Sequence, residues 1–196
     1  MRQSKNSVLG TAVLLSFLSV MSKLLGFVRE QVIAWRFGAG AAVDSYVAAL
    51  LIPQVVAGLV GGTIAIAFLP VYSSLKGTQA GKRLVGTLVV SISFATIVVT
   101  IASLLFAPQI VQVLVGDFAL EQQAMTADMI RILSLGMVFL SITAFLGILF
   151  NCHQLFAAPG LAPVLQNLVI VAGLLAVGGL GIRGLAAFSA LGFVVP

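Results

Sequence analysis

Leu84-Val85-Gly86-Thr87-Leu88-Val89-Val90-Ser91-Ile92-Ser93-Phe94-Ala95-Thr96-Ile97-Val98-Val99-Thr100-Ile101-Ala102-Ser103-Leu104-Leu105-Phe106 contains no charged residue and no proline. As a helix rising ~1.5 Å per residue, it reaches across the ~30 Å hydrocarbon core of a bilayer. In lipid, only helices and closed barrels satisfy every backbone N–H and C=O. A barrel strand needs strict alternation of apolar and polar positions, which this stretch lacks. It reads as a transmembrane helix.

The sequence on either side has the same character. The chain of 196 residues is 61% hydrophobic and only 8% charged, with a mean hydropathy of +1.22. Uncharged runs extend from Ser45 to Leu75, from Leu84 to Gly116 and from Ile132 to Ile182, the last long enough for two spans of ~20 residues. The pattern predicts an all-α, polytopic transmembrane helical bundle of about six helices in a single domain over 1–196, with spans near 7–37, 45–72, 84–106, 124–150, 161–177 and 184–196. The sixth is too short to cross, so the chain reads as a truncated N-terminal lobe.

Local signals place the breaks. Gly38-Ala39-Gly40 ends the first span, which is long enough to need a bend, with Gly26 the expected place. Asp44 fits an N-cap or early-turn carboxylate of the second helix. Within that helix Pro53 frees a backbone carbonyl, and Gly58-x-x-x-Gly62 suits close helix packing. Pro108 ends the third span, and a loop carrying Asp117 and Glu121 follows. Asn151–Gly160 and Gly178-Gly179-Leu180-Gly181 are turns. Asp128 lies one helical turn before Arg131, which allows an ion pair at the outer interface, and Asn167 is expected to bridge helices.

Charge and composition exclude several functions. The net charge of +5 is dispersed rather than gathered in a stripe with interleaved aromatics, so nucleic acid is not an expected partner. Cys152 is the one cysteine, and with His153 it forms no metal-ligand spacing; His153 reads as a loop or interface residue. No metal or cofactor motif and no His, Asp and Ser cluster appears, so an enzyme is not expected. The N-terminal apolar stretch lacks a cleavage site before a polar mature chain and reads as an uncleaved helix. With the N-terminus inside, Arg2, Lys5, Lys76, Lys82 and Arg83 face the cytoplasm, against Arg36 and Arg183 outside.

Ser22-Lys23-Leu24-Leu25-Gly26-Phe27-Val28-Arg29-Glu30 is the exception to the apolar rule. A charge at mid-membrane costs roughly 2.5–3.5 kcal/mol on insertion scales, so such residues face protein or a wet cavity. Two cations and a carboxylate here suit a polar path for an anionic cargo. The other reading has the helix overshoot the bilayer, with these charges at its wet end.

Ser22-Lys23-x-x-Gly26-Phe27-x-Arg29-Glu30, Phe37-Gly38-Ala39-Gly40-x-x-x-Asp44, Ile52-Pro53, Ala67-Phe68-Leu69-Pro70 and Ala162-Pro163-x-x-x-Asn167 together resemble the MurJ (MviN) lipid II flippase family. That family sits within the multidrug, oligosaccharidyl-lipid and polysaccharide exporter superfamily. The resemblance implies a two-lobed transporter of the bacterial cytoplasmic membrane that moves an undecaprenyl-pyrophosphate-linked sugar between leaflets by alternating access. It implies that Lys23 and Arg29 contact the substrate diphosphate in a substrate site shared with Ser22 and Glu30, that Glu30 holds Arg29 when no cargo is bound or takes part in ion coupling, and that Gly26, Asp44 and Pro53 serve gating or coupling. Membrane lipids and a C-terminal lobe are the implied partners.

The sequence also departs from the family. Lys23 stands where the family usually has Arg, Val55-Val56 where it commonly has one or two arginines, and Gly61-Gly62 where it has Glu-Gly. These differences keep a related exporter of another polysaccharide or lipid-linked sugar in view, beside a truncated product that does not transport. A drug antiporter of the same superfamily fits less well, because Lys23 and Arg29 would repel a cationic drug.

Overall fold

The computed structural model describes residues 5–176 and 181–194. Arg2, the turn residues Gly178, Gly179 and Leu180, and Pro196 lie outside them. The described residues form α-helices joined by short turns: α1 (Lys5–Phe37), α2 (Ala41–Leu59), a π-helical turn (Val60–Ile64), α3 (Ala65–Leu75), α4 (Gln79–Leu105), α5 (Ala107–Val115), α6 (Leu120–Leu135), α7 (Met137–Cys152), α8 (Ala157–Ala176) and α9 (Gly181–Gly192). Residues 10–37, 41–75, 79–105 and 157–176 are each long and apolar enough to cross a membrane, and α6 with α7, bent by 48° at their break, has the length and apolarity of a broken span or a re-entrant loop. At 12 residues, α9 is too short to cross.

The surface explains the composition. Phe17, Phe27, Trp35, Ile66, Phe94, Val113 and Leu120 are all exposed, with Trp35 at 80%. A water-soluble fold would bury such side chains, whereas lipid solvates them. Two apolar clusters fill the interior. One joins Ile33, Tyr46, Met129, Ile130, Leu133, Leu174 and Leu185 from α1, α2, α6, α8 and α9. The other stacks Phe68 on Tyr72 (ring centroids 4.8 Å apart) and sets Phe145 edge-on to Phe68.

Polar ties hold the two ends of the bundle. At one end the Lys76 ammonium donates to the Cys152 carbonyl at 2.6 Å, and the Tyr72 hydroxyl lies 2.8 Å from His153 Nε2. A cation there suits the exposed carbonyls that close α7. At the other end Asp128 receives both Arg131 (3.1 Å) and Arg183 (2.7 Å), which fastens α9 to α6. Arg36 donates to the Leu174 carbonyl near the end of α8.

Three local features differ from the sequence reading. The span expected as one helix over 124–150 is broken at Gly136. An added Cβ at Gly136 would lie 2.7 Å from the Ala190 carbonyl oxygen and 2.8 Å from the Phe193 ring, so only glycine lets α9 come this close. The connection after the third span is not all loop: Phe106 breaks the helix, and Pro108 then sits in the first turn of α5, where its missing N–H costs nothing. Gly58 and Gly62 have no described neighbour within 4 Å of an added Cβ, so they do not pack helices within these residues; Gly61 instead faces Ala144 at 3.9 Å. Between them the helix loosens into its π-helical turn at Gly61-Gly62.

Gly136→Val is expected to lower thermal stability in detergent by about 1–3 kcal/mol through overpacking against α9. Gly58→Ala, with open space around it, should leave the midpoint unchanged or raise it. Equal shifts for the two would remove the close approach at Gly136 as the cause of the break.

Candidate functional site: a polar chamber beside α1

Ser22, Gly26, Arg29 and Ile33 follow one another at helical spacing and share one face of α1. That face meets α8, the main neighbour of α1. Gly26 leaves a notch in it, and α1 stays helical through the glycine. An added Cβ there would sit 3.7 Å from Asn167 Nδ2. Asn167 is buried and spans the notch: its Nδ2 donates to the Ser22 carbonyl (3.3 Å), and its Oδ1 accepts from Arg29 Nη1 (3.1 Å). The other edge of the guanidinium, Nε and Nη2, donates to Glu30 Oε1 at 3.2 and 2.6 Å.

The helix register fixes the depth of this cluster. α8 has 20 residues, Ala157–Ala176, and so is about as long as the hydrocarbon core is thick. Asn167 lies near its centre, about 15 Å from either end at ~1.5 Å per residue. Arg29 is therefore held level with the middle of α8. Its side chain is 26% exposed, while Glu30 is 56% exposed. A carboxylate so open at this level is too costly to face hydrocarbon, so that side of α1 has to meet water or further protein.

Arg29 also lines a cavity of about 370 Å³ between α1, α2, α7, α8 and α9. Its polar lining comes from Arg29, Tyr46, Gln54, Gln166, Asn167 and Ser189. The Tyr46 hydroxyl is 2.7 Å from Ser189 Oγ, which donates in turn to the Leu185 carbonyl at 2.8 Å. Among the described lining residues Arg29 is the one formal charge, set among neutral donors and acceptors. Such a chamber can hold an anionic group at the guanidinium and hydroxyl or amide groups beside it.

The residues singled out from the sequence fall into two groups. Arg29 and Glu30 meet, Gly26 provides the notch, and Ser22 contributes its backbone carbonyl. Buried Pro53 stands next to Gln54 in the wall, and its ring removes the N–H that the Ala49 carbonyl would otherwise receive. Lys23 lies elsewhere: it is exposed, about 9 Å along the axis from Arg29, and bonds to no described residue. Asp44 is exposed in the first turn of α2, outside the lining, with Gly40 as the N-cap. Tyr46, Gln54, Gln166 and Ser189 were not singled out from sequence; the adjacent pair Gln166-Asn167 inside an apolar helix was the available signal. No group of three or more potential metal ligands occurs among the described residues.

This architecture defines a class: a polytopic helical membrane protein with a charged polar chamber at mid-depth. A family model described as Lipid II flippase MurJ matches residues 33–195, and the chain belongs to that family. The match begins after Lys23, Arg29 and Glu30. The Lipid II flippase MurJ of Burkholderia cenocepacia is 29% identical over 160 residues, 79% of this chain and 31% of that protein. The Lipid II flippase MurJ of Thermosipho africanus is 26% identical over 168 residues, 85% of this chain and 35% of that protein. The chain thus spans about a third of the length of these relatives. A solved Lipid II flippase MurJ in an inward closed conformation has the same fold, with a TM-score of 0.83 at 23% identity, covering 93% of this chain and 40% of that one.

In a Cys152→Ser background, Lys23→Cys and Glu30→Cys are expected to react with a membrane-impermeant maleimide, and Phe17→Cys on the apolar surface is not. Protection of both positions from both sides of the membrane would place them against lipid or packed protein instead of water.

Proposed function

We propose that these residues form the N-terminal lobe of a flippase for a lipid-linked oligosaccharide, the substrate class being an undecaprenyl-pyrophosphate-linked peptidoglycan precursor such as lipid II. The observation that carries the reading is Arg29, a cation held at mid-depth with an exchangeable carboxylate on one edge and a polar chamber beside it. A sugar diphosphate cannot drag its head through hydrocarbon, since each unpaired polar group costs several kcal/mol there. A wet cleft removes that cost while the polyprenyl tail stays in the bilayer. Phosphate oxygens displace Glu30 from Nε and Nη2 by charge-assisted hydrogen bonds, and Glu30 holds the arginine when no cargo is bound.

Lys23, on another side of the same helix about 9 Å away along its axis, adds positive charge near the site without lining the chamber. Gly26, Asp44 and Pro53 are assigned to the movements that alternate access, in which one lobe rocks against the other. The protein sits in the bacterial cytoplasmic membrane with its N-terminus in the cytoplasm, in keeping with Lys76, Lys82 and Arg83 at one end of the bundle. Transport of this kind breaks no covalent bond in the cargo and calls for no catalytic residue or cofactor. A sister exporter of another lipid-linked sugar is the second reading. It is favoured by the single cation in the chamber and by Val55-Val56 on the helix-two face.

Arg29→Ala is expected to abolish flipping of lipid II in reconstituted vesicles while insertion is retained, and Arg29→Lys to lower it by about tenfold or more. Normal growth of cells that depend on the alanine variant would refute the assignment. A protein that flips another polyprenyl-linked sugar but not lipid II would move the assignment to the sister exporter. Residues 1–196 alone are expected to insert without transporting; robust flipping by that segment would make a second lobe dispensable.

A further inference from the structure

Asn167 is the one polar residue among the buried positions of α8, which are otherwise Ile170, Gly173 and Leu174. It bonds to two points of α1 set seven residues apart, the Ser22 carbonyl and Arg29 Nη1. Gly26 lies between them and leaves the amide room: an added Cβ would meet Nδ2 at 3.7 Å, an ordinary contact. Its orientation is fixed by chemistry: Oδ1 has to face the cation and the NH₂ group the carbonyl.

The two partners of Arg29 differ in kind. Asn167 is neutral and 8% exposed, and it occupies Nη1. Glu30 is charged and open, and it occupies Nε and Nη2. The Nε–Nη2 edge is one that a phosphate engages with two parallel hydrogen bonds. A carboxylate in place of Asn167 would cancel the positive charge, and an apolar residue would leave Nη1 unpaired at mid-depth.

We infer that Asn167 is a positioning residue: it holds the guanidinium through Nη1 so that the Nε–Nη2 edge stays turned to the open side, free to exchange Glu30 for a phosphate. This rests on the diphosphate-binding reading of Arg29. Asn167 acts on the ligand through the arginine that it orients, and Gly26 is the gap beside it.

The test is calorimetric binding of farnesyl pyrophosphate to the purified protein in detergent. Asn167→Leu, of similar volume, is expected to weaken binding by about tenfold or more. In an Arg29→Lys background the same change should cost no more than about twofold, because the group it positions is gone. Asn167→Gln, which keeps a neutral acceptor, should recover part of the loss. Equal losses in both backgrounds, or equal losses for Leu and Gln, would overturn the inference and leave Asn167 a packing residue. If Arg29→Ala binds the probe as tightly as the unaltered protein, the diphosphate reading itself falls. If Arg29→Ala loses binding and Asn167→Leu does not, only the positioning role falls.

Discussion

A guanidinium inside a membrane span has to keep its hydrogen bonds, and the seating of α1 follows from that requirement. α1 meets the rest of the bundle chiefly along α8. Little of its surface is buried: Leu18 and Ile33 are its buried apolar residues among those described. In lipid there is no hydrophobic gain from pressing two apolar helices together, so packing detail and interhelical hydrogen bonds decide where they meet. For α1 these include Asn167 to Ser22 and Arg29, level with the middle of α8, and Arg36 to the end of α8. The notch at Gly26 makes the first pair geometrically available.

The chamber beside Arg29 has a second cause, the bend of the fourth span. By breaking at Gly136, the chain sends α6 against α2 and α9, and α7 against α4. Leu140 on α7 and Phe193 after α9 then enclose the same space as Arg29 and Asn167. The hydroxyls in its wall bond to each other and to their own helix: Tyr46 pairs with Ser189, which donates one turn back to the Leu185 carbonyl. The wall is thus polar without adding another charge, and Arg29 sets the sign of the chamber.

The spans were legible in the sequence because the bilayer imposes a length and an apolarity that few alternatives meet. The helices over 41–75, 79–105 and 157–176, and α7, fall largely within the uncharged runs, while α1 and α6 carry charges of their own. The helix break at Gly136 was not legible: a glycine inside an apolar run has the same local signature whether the helix continues or bends, and the deciding contact comes from Ala190 and Phe193 far along the chain. The same reason hides the fate of Gly58 and Gly62, whose spacing permits packing but cannot supply a partner. Pro108 has the local signature of a stop, yet proline also suits the first turn of a helix, where it stands in α5.

For the site, the sequence by itself determined that a charged stretch, Ser22–Glu30, lies within a membrane helix, because hydrocarbon makes ionised side chains rare enough to stand out. It also carried the family resemblance of the ordered motifs. Only the tertiary structure decided which charges act together. Arg29 shares a helix face with Ser22 and Gly26 and finds Asn167 on α8, while Lys23, about six residues nearer the N-terminus, points to another side. Tyr46 and Gln54 join the wall from α2, Ser189 from α9 and Gln166 from α8 itself, and none is unusual in its own segment. A hydrogen-bonded cavity is a property of convergence across the fold, and a linear chain records the residue types without recording which of them will face one another.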